Sequence, residues 1–220
     1  EFGLRDDLEI LIKKLENDTK DKTGHVLNIC LNYGGHSEIV DLTRKLCLKY
    51  KEGDIDLDDI IIHAPYIVNL ARKDPEKFDF AVRFIATEVS GVHNIGCKYL
   101  VLHPGSAVDS ERSDALLQVS RGINEIIKLT PNARTVIAIE TMSGKGNEVG
   151  RSFEEVKFII DNVSDKSRIG VCLDTCHIND AGYDLVNNYE NVINEFDQII
   201  GLEYLKVIHV NDSKNPLASH

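Results

Sequence analysis

The stretch Val136-Ile-Ala-Ile-Glu140 is a short apolar run that ends in a carboxylate, and the same pattern recurs along the chain. Strands of a parallel sheet bring their carboxyl ends to one edge, where α/β enzymes place their chemistry. The pattern therefore predicts a metal-assisted hydrolase or isomerase. Four further apolar runs end in a residue that can bind a metal ion: His63, His103, Asp174 and His209. One more such residue, His177, follows Asp174 by three positions.

A single histidine at a strand end is more often a structural residue than a metal ligand. Five strand ends in series favour the shared site over that interpretation. The spacing does not by itself identify the metal ion.

The composition suits one soluble α/β domain, with 220 residues, 42% of them hydrophobic and 28% charged. A net charge of −11 argues against a broadly basic nucleic-acid surface, but bound zinc ions would make the site locally positive. Five scattered cysteines without CxxC spacing indicate free thiols in a reducing, cytoplasmic environment. We find no secretory signal and no apolar stretch of about 18 residues, so neither export nor a membrane span is expected.

Short β-type runs alternate with amphipathic helical stretches from residue 60 onward, which is typical of a parallel sheet. Before residue 60 we expect a strand at Val26–Leu31 between two helices, over Asp7–Asn17 and Ser37–Tyr50. Residues 1–59 and 60–220 are therefore treated as two segments packed as one domain. Six strands are fewer than the eight of a closed barrel, so the predicted fold is α/β, an incomplete or recombined TIM-type barrel. Later helices are expected to begin at Pro75, at Asp109 or Ser110, after a capping box at Ser152–Glu155, and near Leu185.

Five blocks closely resemble, in order, the signature blocks of endonuclease IV, the zinc-dependent apurinic/apyrimidinic endonuclease. The resemblance implies a TIM barrel with a trinuclear zinc cluster that cuts the DNA backbone on the 5′ side of an abasic site. The blocks are His63-Ala-Pro-Tyr-Ile-Val-Asn-Leu, Leu102-His-Pro-Gly-Ser106, Glu140-Thr-Met-Ser-Gly-Lys-Gly146, Val171-Cys-Leu-Asp-Thr-Cys-His177 and His209-Val-Asn-Asp-Ser-Lys214.

The resemblance also implies a role for each matching residue. One zinc ion would be bound by His63, His103 and Glu140. The catalytically essential Glu140 would bridge to a second ion, which Asp174 and His209 would also bind. His177 would belong to a third. Tyr66 and Ile67 would lie at the DNA surface and fill the gap left by an extruded abasic nucleotide, although they could equally cover a loop; the partner implied is abasic duplex DNA.

The chain departs from the endonuclease IV pattern in two ways. Thr141, Met142 and Ser143 follow the glutamate in place of the usual residues. The family's later Asp-x-His pair and final strand-end glutamate have no counterpart here. We therefore expect up to two zinc sites and impaired activity.

Residues 23–40 resemble instead the central block of cis-prenyltransferases such as undecaprenyl diphosphate synthase. This resemblance predicts a chimera in which residues 1–59 replace the first βα units of the barrel. There are two alternatives to an active endonuclease. One is a catalytically inactive, recombined or engineered scaffold; the other is a metal-dependent sugar isomerase or epimerase, whose barrel has similar ligands at its strand ends. Open sheet edges would also favour a homodimer or swapped assembly that completes the barrel.

Overall fold

A computed structural model of the chain describes residues 6–21 and 45–219. Five strands are present in this part: β1 (Ile61–His63), β2 (Tyr99–Leu102), β3 (Val136–Glu140), β4 (Ile169–Asp174) and β5 (Leu205–His209). The helices are α1 (Asp6–Thr19), α2 (45–52), α3 (Pro75–Asn94), α4 (Arg112–Leu129), α5 (Phe153–Asp161), α6 (Thr175–Ala181) and α7 (Tyr189–Ile199).

The five strands form one parallel sheet in which the spatial order is the chain order, β1-β2-β3-β4-β5. Strands that succeed one another side by side, with helices between them, are the arrangement of a (β/α) barrel wall. The TIM-type architecture is thereby confirmed, with five described strands. The predicted strand Val26–Leu31 lies outside the described residues, as does the first part of the predicted helix Ser37–Tyr50.

Local sequence signals explain where two helices begin. Asp74 caps α3 by accepting hydrogen bonds from the amides of Glu76 and Lys77, and Pro75 occupies the first turn, where no amide hydrogen is needed. Ser152 caps α5 by accepting a hydrogen bond from the amide of Glu155. These two predicted starts are confirmed.

Three details of the sequence prediction are wrong. The helix expected at Asp109 or Ser110 begins at Arg112, because the Asp109 carboxylate is taken by the amide of Lys73 instead of capping the helix. The Ser152 capping box is only half formed, since the Glu155 carboxylate binds Arg112 rather than the amide of Ser152.

The third error concerns the last helix, which begins at Tyr189 rather than near Leu185. The side chain of Val186 is 85% exposed and does not face the sheet. Residues 185–187 form a turn, and Leu185 packs against the core from this turn rather than from a helix.

The two faces of the sheet are buried by different sets of side chains. Strand residues such as Leu100, Ile137 and Val171 pack into the large core with α3, α4 and α5. The alternate residues point to the opposite face and form a small cluster, as the period of two in a strand requires. That cluster contains Val101, Ala138, Cys172 and Val207, all buried.

The four cysteines in the described residues are free thiols: Cys97 and Cys172 are buried in the core, Cys176 is partly buried and Cys47 is exposed. Helix α1 also exposes apolar side chains, among them Ile10 and Leu11. No helix in the described ranges is long and apolar enough to cross a membrane.

Candidate metal centre

Glu140 lies at the centre of the predicted ligand set, at the carboxyl end of the central strand β3. Its side chain is only 2% exposed. One carboxylate oxygen, Oε2, lies 2.9 Å from Nε2 of His63 and 3.0 Å from Nε2 of His103. The other oxygen, Oε1, lies 3.3 Å from Nδ1 of both His177 and His209. We call His63 and His103 the Oε2 side. We call His177 and His209, together with Asp174 beside His209, the Oε1 side.

The sheet order explains this division of the ligands. Strands β1 and β2 lie on one side of β3 and supply His63 and His103, the latter directly after β2. Strands β4 and β5 lie on the other side, and their last residues, Asp174 and His209, are register partners. A carboxylate on the middle strand can therefore contact ligands from both directions.

On the Oε2 side, backbone contacts orient the His63 ring. The carbonyl of Ala64 can only accept a hydrogen bond, so Nδ1 of His63 donates its proton there, at 2.7 Å. In a neutral ring Nε2 then presents a lone pair to the Glu140 carboxylate. Nε2 of His63 and Oε2 of Glu140 are then two acceptors 2.9 Å apart, which requires a proton or a metal cation between them. Such an orientation of the His63 ring suits a metal ligand.

On the Oε1 side, hydrogen bonds hold both Asp174 and His177. Asp174 caps α6, because its Oδ1 accepts a hydrogen bond from the backbone amide of His177 at 2.9 Å. Its Oδ2 accepts a hydrogen bond from the side-chain amide of Asn211 at 2.5 Å and lies 3.5 Å from Nδ1 of His209. Nδ1 of His177 donates a hydrogen bond to the carbonyl of Thr141 at 2.9 Å. In the neutral ring the lone pair is therefore on Nε2.

The electrostatics of the cluster favour positive charge around Glu140. Burial raises the pKa of the Glu140 carboxyl, but the contacts with the four histidines, in their protonated form, outweigh it and place the pKa far below its usual range. Burial lowers the pKa of His177, yet Glu140 and Asp174 raise it to about 9. Contacts with Asp174, Cys172 and Glu140 raise the pKa of His209 to about 12.

Cys172 lies beneath the Oε1 side as the register partner of Glu140. Its sulfur, the Glu140 carboxylate and a nitrogen of His209 lie within 4.8 Å of one another. Burial raises the pKa of the Cys172 thiol to about 12. The thiol therefore stays protonated at neutral pH, and a packing role fits it better than a ligand role.

The donor set fits divalent cations that bind nitrogen and oxygen. Zinc–ligand bonds of about 2.0–2.1 Å place tetrahedral ligands about 3.3 Å apart, and the donor distances here run from 2.9 to 3.5 Å. Two groups without a thiol have their ligand atoms within 4.8 Å of one another: His63, His103 and Glu140, and Glu140, Asp174 and His177. Glu140 belongs to both groups, and a bridging role for it stays a prediction.

The predicted DNA-contact residues lie at the rim of this cluster. Tyr66 and Ile67 are 73% and 75% exposed. The Tyr66 ring meets the His103 ring edge to face, with centroids 5.4 Å apart. The side chain of Asn69 fastens this loop to the next one, since it bonds both the amide and the carbonyl of Ser106.

The structure brings all six predicted ligands together at one edge of the sheet, and their role as ligands stays a prediction. Sequence reasoning missed the residues that orient them, above all Thr141 and Asn211. The sequence does contain a signal for both orienting residues, since each is a polar residue close to a predicted ligand. Thr141 directly follows Glu140, and Asn211 lies two positions after His209.

Comparison with known proteins identifies the family. The sequence profile of the xylose isomerase-like TIM barrel family matches residues 37–220. The chain belongs to this family. The match starts inside the segment 1–59, and the resemblance of that segment to a cis-prenyltransferase, like the chimera, stays a prediction.

Several curated relatives within this xylose isomerase-like family share close to half of the aligned residues. A probable endonuclease 4 of Acholeplasma laidlawii is 52% identical over 169 residues, which cover 77% of this chain and 58% of that protein. A probable endonuclease 4 of Pediococcus pentosaceus is 49% identical over 166 residues, covering 75% of this chain and 55% of that protein. The chain thus spans a little over half the length of these relatives.

Solved structures agree with the fold. Endonuclease IV from Thermus thermophilus matches with a TM-score of 0.66 and 30% identity, covering 85% of this chain and 64% of that one. A D-tagatose 3-epimerase-like protein matches with a TM-score of 0.63 at 19% identity, covering 90% of this chain and 71% of that one. The second likeness shows the barrel fold alone and carries no argument for sugar chemistry.

Proposed function

We propose that the site belongs to a zinc-dependent endonuclease that hydrolyses DNA at abasic sites. The observation that carries the proposal is the Glu140 carboxylate, with two histidines against each of its oxygens. The relatives named probable endonuclease 4 support the choice of reaction. The strand-end ligands alone would also fit a metal-dependent isomerase.

Each residue has a defined task in this proposal. His63, His103 and Glu140 would hold one zinc ion, while Asp174 and His209 would share the second with Glu140. His177 would belong to a third site, with Nε2 as its free nitrogen because Nδ1 donates to the carbonyl of Thr141. When bound, paired zinc ions acidify an attacking water and neutralise charge on phosphate oxygens.

The rim residues would provide substrate recognition. Tyr66 and Ile67 project an aromatic and an apolar side chain next to the ligands. Such side chains can fill the gap in a duplex from which an abasic nucleotide has turned out. The net charge of −11 leaves the bound ions as the main attraction for the DNA phosphates.

The test is incision of a duplex oligonucleotide that carries one stable abasic analogue. Zinc-loaded protein should cut it, and EDTA and the Glu140→Ala substitution should each abolish cutting. Glu148→Ala is the matched control, since this carboxylate follows the same strand but binds Ser143 and the amide of Lys145. Cutting that survives Glu140→Ala, or no cutting by folded, zinc-loaded protein, would overturn the proposal.

A homodimer or swapped assembly is a separate proposal. In the described part of the chain, β1 and β5 each have a neighbouring strand on one side only. Pairing between two copies would complete these edges. A strict monomer in size-exclusion chromatography with light scattering would contradict it.

A further inference from the structure

The loop that follows β5 is held against α6 at its start and at its end. At the start, the amide of Asn211 donates to Oγ1 of Thr175 at 2.9 Å, and this hydroxyl donates back to the Asn211 carbonyl at 2.7 Å. At the end, the amide of Ala218 donates to the carbonyl of Asn179 at 3.1 Å. We call residues 211–218 the β5 loop.

A buried carboxylate, Asp180, fastens the middle of the β5 loop. Its side chain is 1% exposed although it lies at the end of α6. Oδ1 accepts a hydrogen bond from the hydroxyl of Ser213 at 2.6 Å, and Oδ2 accepts one from the side-chain amide of Asn215 at 2.9 Å. Lys145, from the loop after β3, lies 3.8 Å from Oδ2. Helix α6 and the loops after β3 and β5 therefore meet at this carboxylate.

The β5 loop in turn orients a predicted metal ligand. Asn211 donates its side-chain amide to Oδ2 of Asp174, the oxygen that faces His209. Partners that hydrogen-bond a metal ligand fix its orientation, and their loss typically weakens metal binding about 10- to 100-fold. Asn211 can fulfil this role only while the backbone around it keeps its position.

We infer that Asp180 is a positioning residue for the Oε1 side, which acts through the β5 loop and Asn211 on Asp174. Asp180 itself contacts none of the six predicted ligands through the hydrogen bonds above. The inference rests on the proposed metal-binding function. A purely structural role for Asp180 would make a different prediction. In that case its replacement would lower the stability of the whole fold instead of changing only the Oε1 side.

The first measurement follows the loop without any metal. Hydrogen exchange monitored by mass spectrometry should show faster exchange over the β5 loop in Asp180→Ala than in the parent protein, with β2 and β3 unchanged. Asp212→Ala is the matched control, because Asp212 is an exposed carboxylate in the same loop. Equal exchange in Asp180→Ala and Asp212→Ala would overturn the inference.

The second measurement is metal affinity, followed by competition of zinc with a chelating dye and by the visible absorption bands of bound cobalt(II). Asp180→Ala should weaken one of two metal equivalents roughly tenfold and leave the other within about threefold. Asn211→Ala should do the same, and the double variant should be no weaker than Asn211→Ala. Additive losses, or equal weakening of both equivalents, would refute the path through Asn211.

Conservative variants separate hydrogen bonding from folding. Asp180→Asn keeps an acceptor for Ser213, so its metal affinity should stay within about threefold of the parent protein. Should Asp180→Ala fail to fold, Ser213→Ala removes the hydroxyl that donates to Asp180 and accepts the amide of Asn215. The same criteria apply to it. If the parent chain binds no metal, the proposed function fails, while the exchange measurement still decides whether Asp180 fixes the loop.

Discussion

The two sides of the Glu140 carboxylate are built in different ways. The Oε2 side consists of His63 and His103, whose positions follow from the strand ends and from one backbone carbonyl. Nδ1 of His103 is buried and has no hydrogen-bond partner among the described residues. On the Oε1 side, by contrast, side chains and backbone groups around Asp174 and His177 form a connected network.

This difference separates two sources of precision in the site. Strand geometry alone places the histidines of the Oε2 side next to the carboxylate. The Oε1 side needs additional donors because Asp174 has two oxygens and several rotational states, and each donor removes some of that freedom. We therefore expect the Oε1 side to be the more sensitive to substitutions outside the ligand set.

The largest predicted effect comes from removing a ligand on one side only. His63→Ala should abolish one zinc equivalent and leave the other, because Asp174 and His209 still face Oε1. Asp174→Asn should do the converse, and it keeps the acceptor that caps α6. The loss should exceed the roughly 10- to 100-fold effect of an orienting partner.

Zinc content after dialysis, measured by inductively coupled plasma mass spectrometry, checks this prediction. Asp212→Asn serves as the charge-matched control for Asp174→Asn. Loss of both equivalents in either single variant would show that the two sides are one inseparable site.

A smaller effect is expected at Glu155, which holds the loop after β3 at Gly150; the Gly150 carbonyl accepts the amide of Met142, next to Thr141. The Glu155 carboxylate accepts the amides of Gly150 and Arg151, at 2.8 and 3.1 Å, and pairs with Arg112. Burial raises the pKa of Glu155, but Arg112 and the two amides outweigh it and lower the pKa below its usual range. Glu155→Gln should lower the free energy of unfolding by about 1–2 kcal/mol at pH 7.

The pH dependence has a defined sign. A depressed folded-state pKa contributes stability above the unfolded-state value, and this contribution is lost as the pH falls through the folded-state pKa. The difference between Glu155→Gln and the parent protein should therefore shrink as the pH falls from the unfolded-state pKa through the lower folded-state pKa. Urea unfolding at several pH values measures it, with the exposed Glu154→Gln as control; a difference independent of pH would contradict the charge-based explanation.

The smallest effect on stability is expected at the rim. Tyr66 is 73% exposed, so Tyr66→Ala should change the free energy of unfolding by less than about 0.5 kcal/mol. Binding to a duplex with an abasic analogue should nevertheless weaken about fivefold, as expected when an aromatic contact of about 1 kcal/mol is lost. Fluorescence anisotropy checks this, with Tyr189→Ala, 60% exposed on α7, as the control. Equal affinities for the two variants would favour the loop-covering interpretation of Tyr66.

The success of the sequence analysis differs between elements for physical reasons. Strands β1 to β5 were predictable because each is an apolar run that ends in a polar residue or, in β2, is directly followed by one. Helix starts were predictable where the cap is local, as at Asp74 and Ser152. They were not predictable at Asp109, where the carboxylate binds a backbone amide 36 residues away in sequence.

The sequence by itself determined that six ligand-type residues would reach one edge of a parallel sheet, since the period of two and the strand ends are local properties. Only the tertiary structure decided how those residues divide between the two oxygens of Glu140, because that depends on strand order around β3. It also decided which neighbours orient them. Asn211 and Asp180 act across loops that are distant in sequence, and no local pattern encodes such a contact.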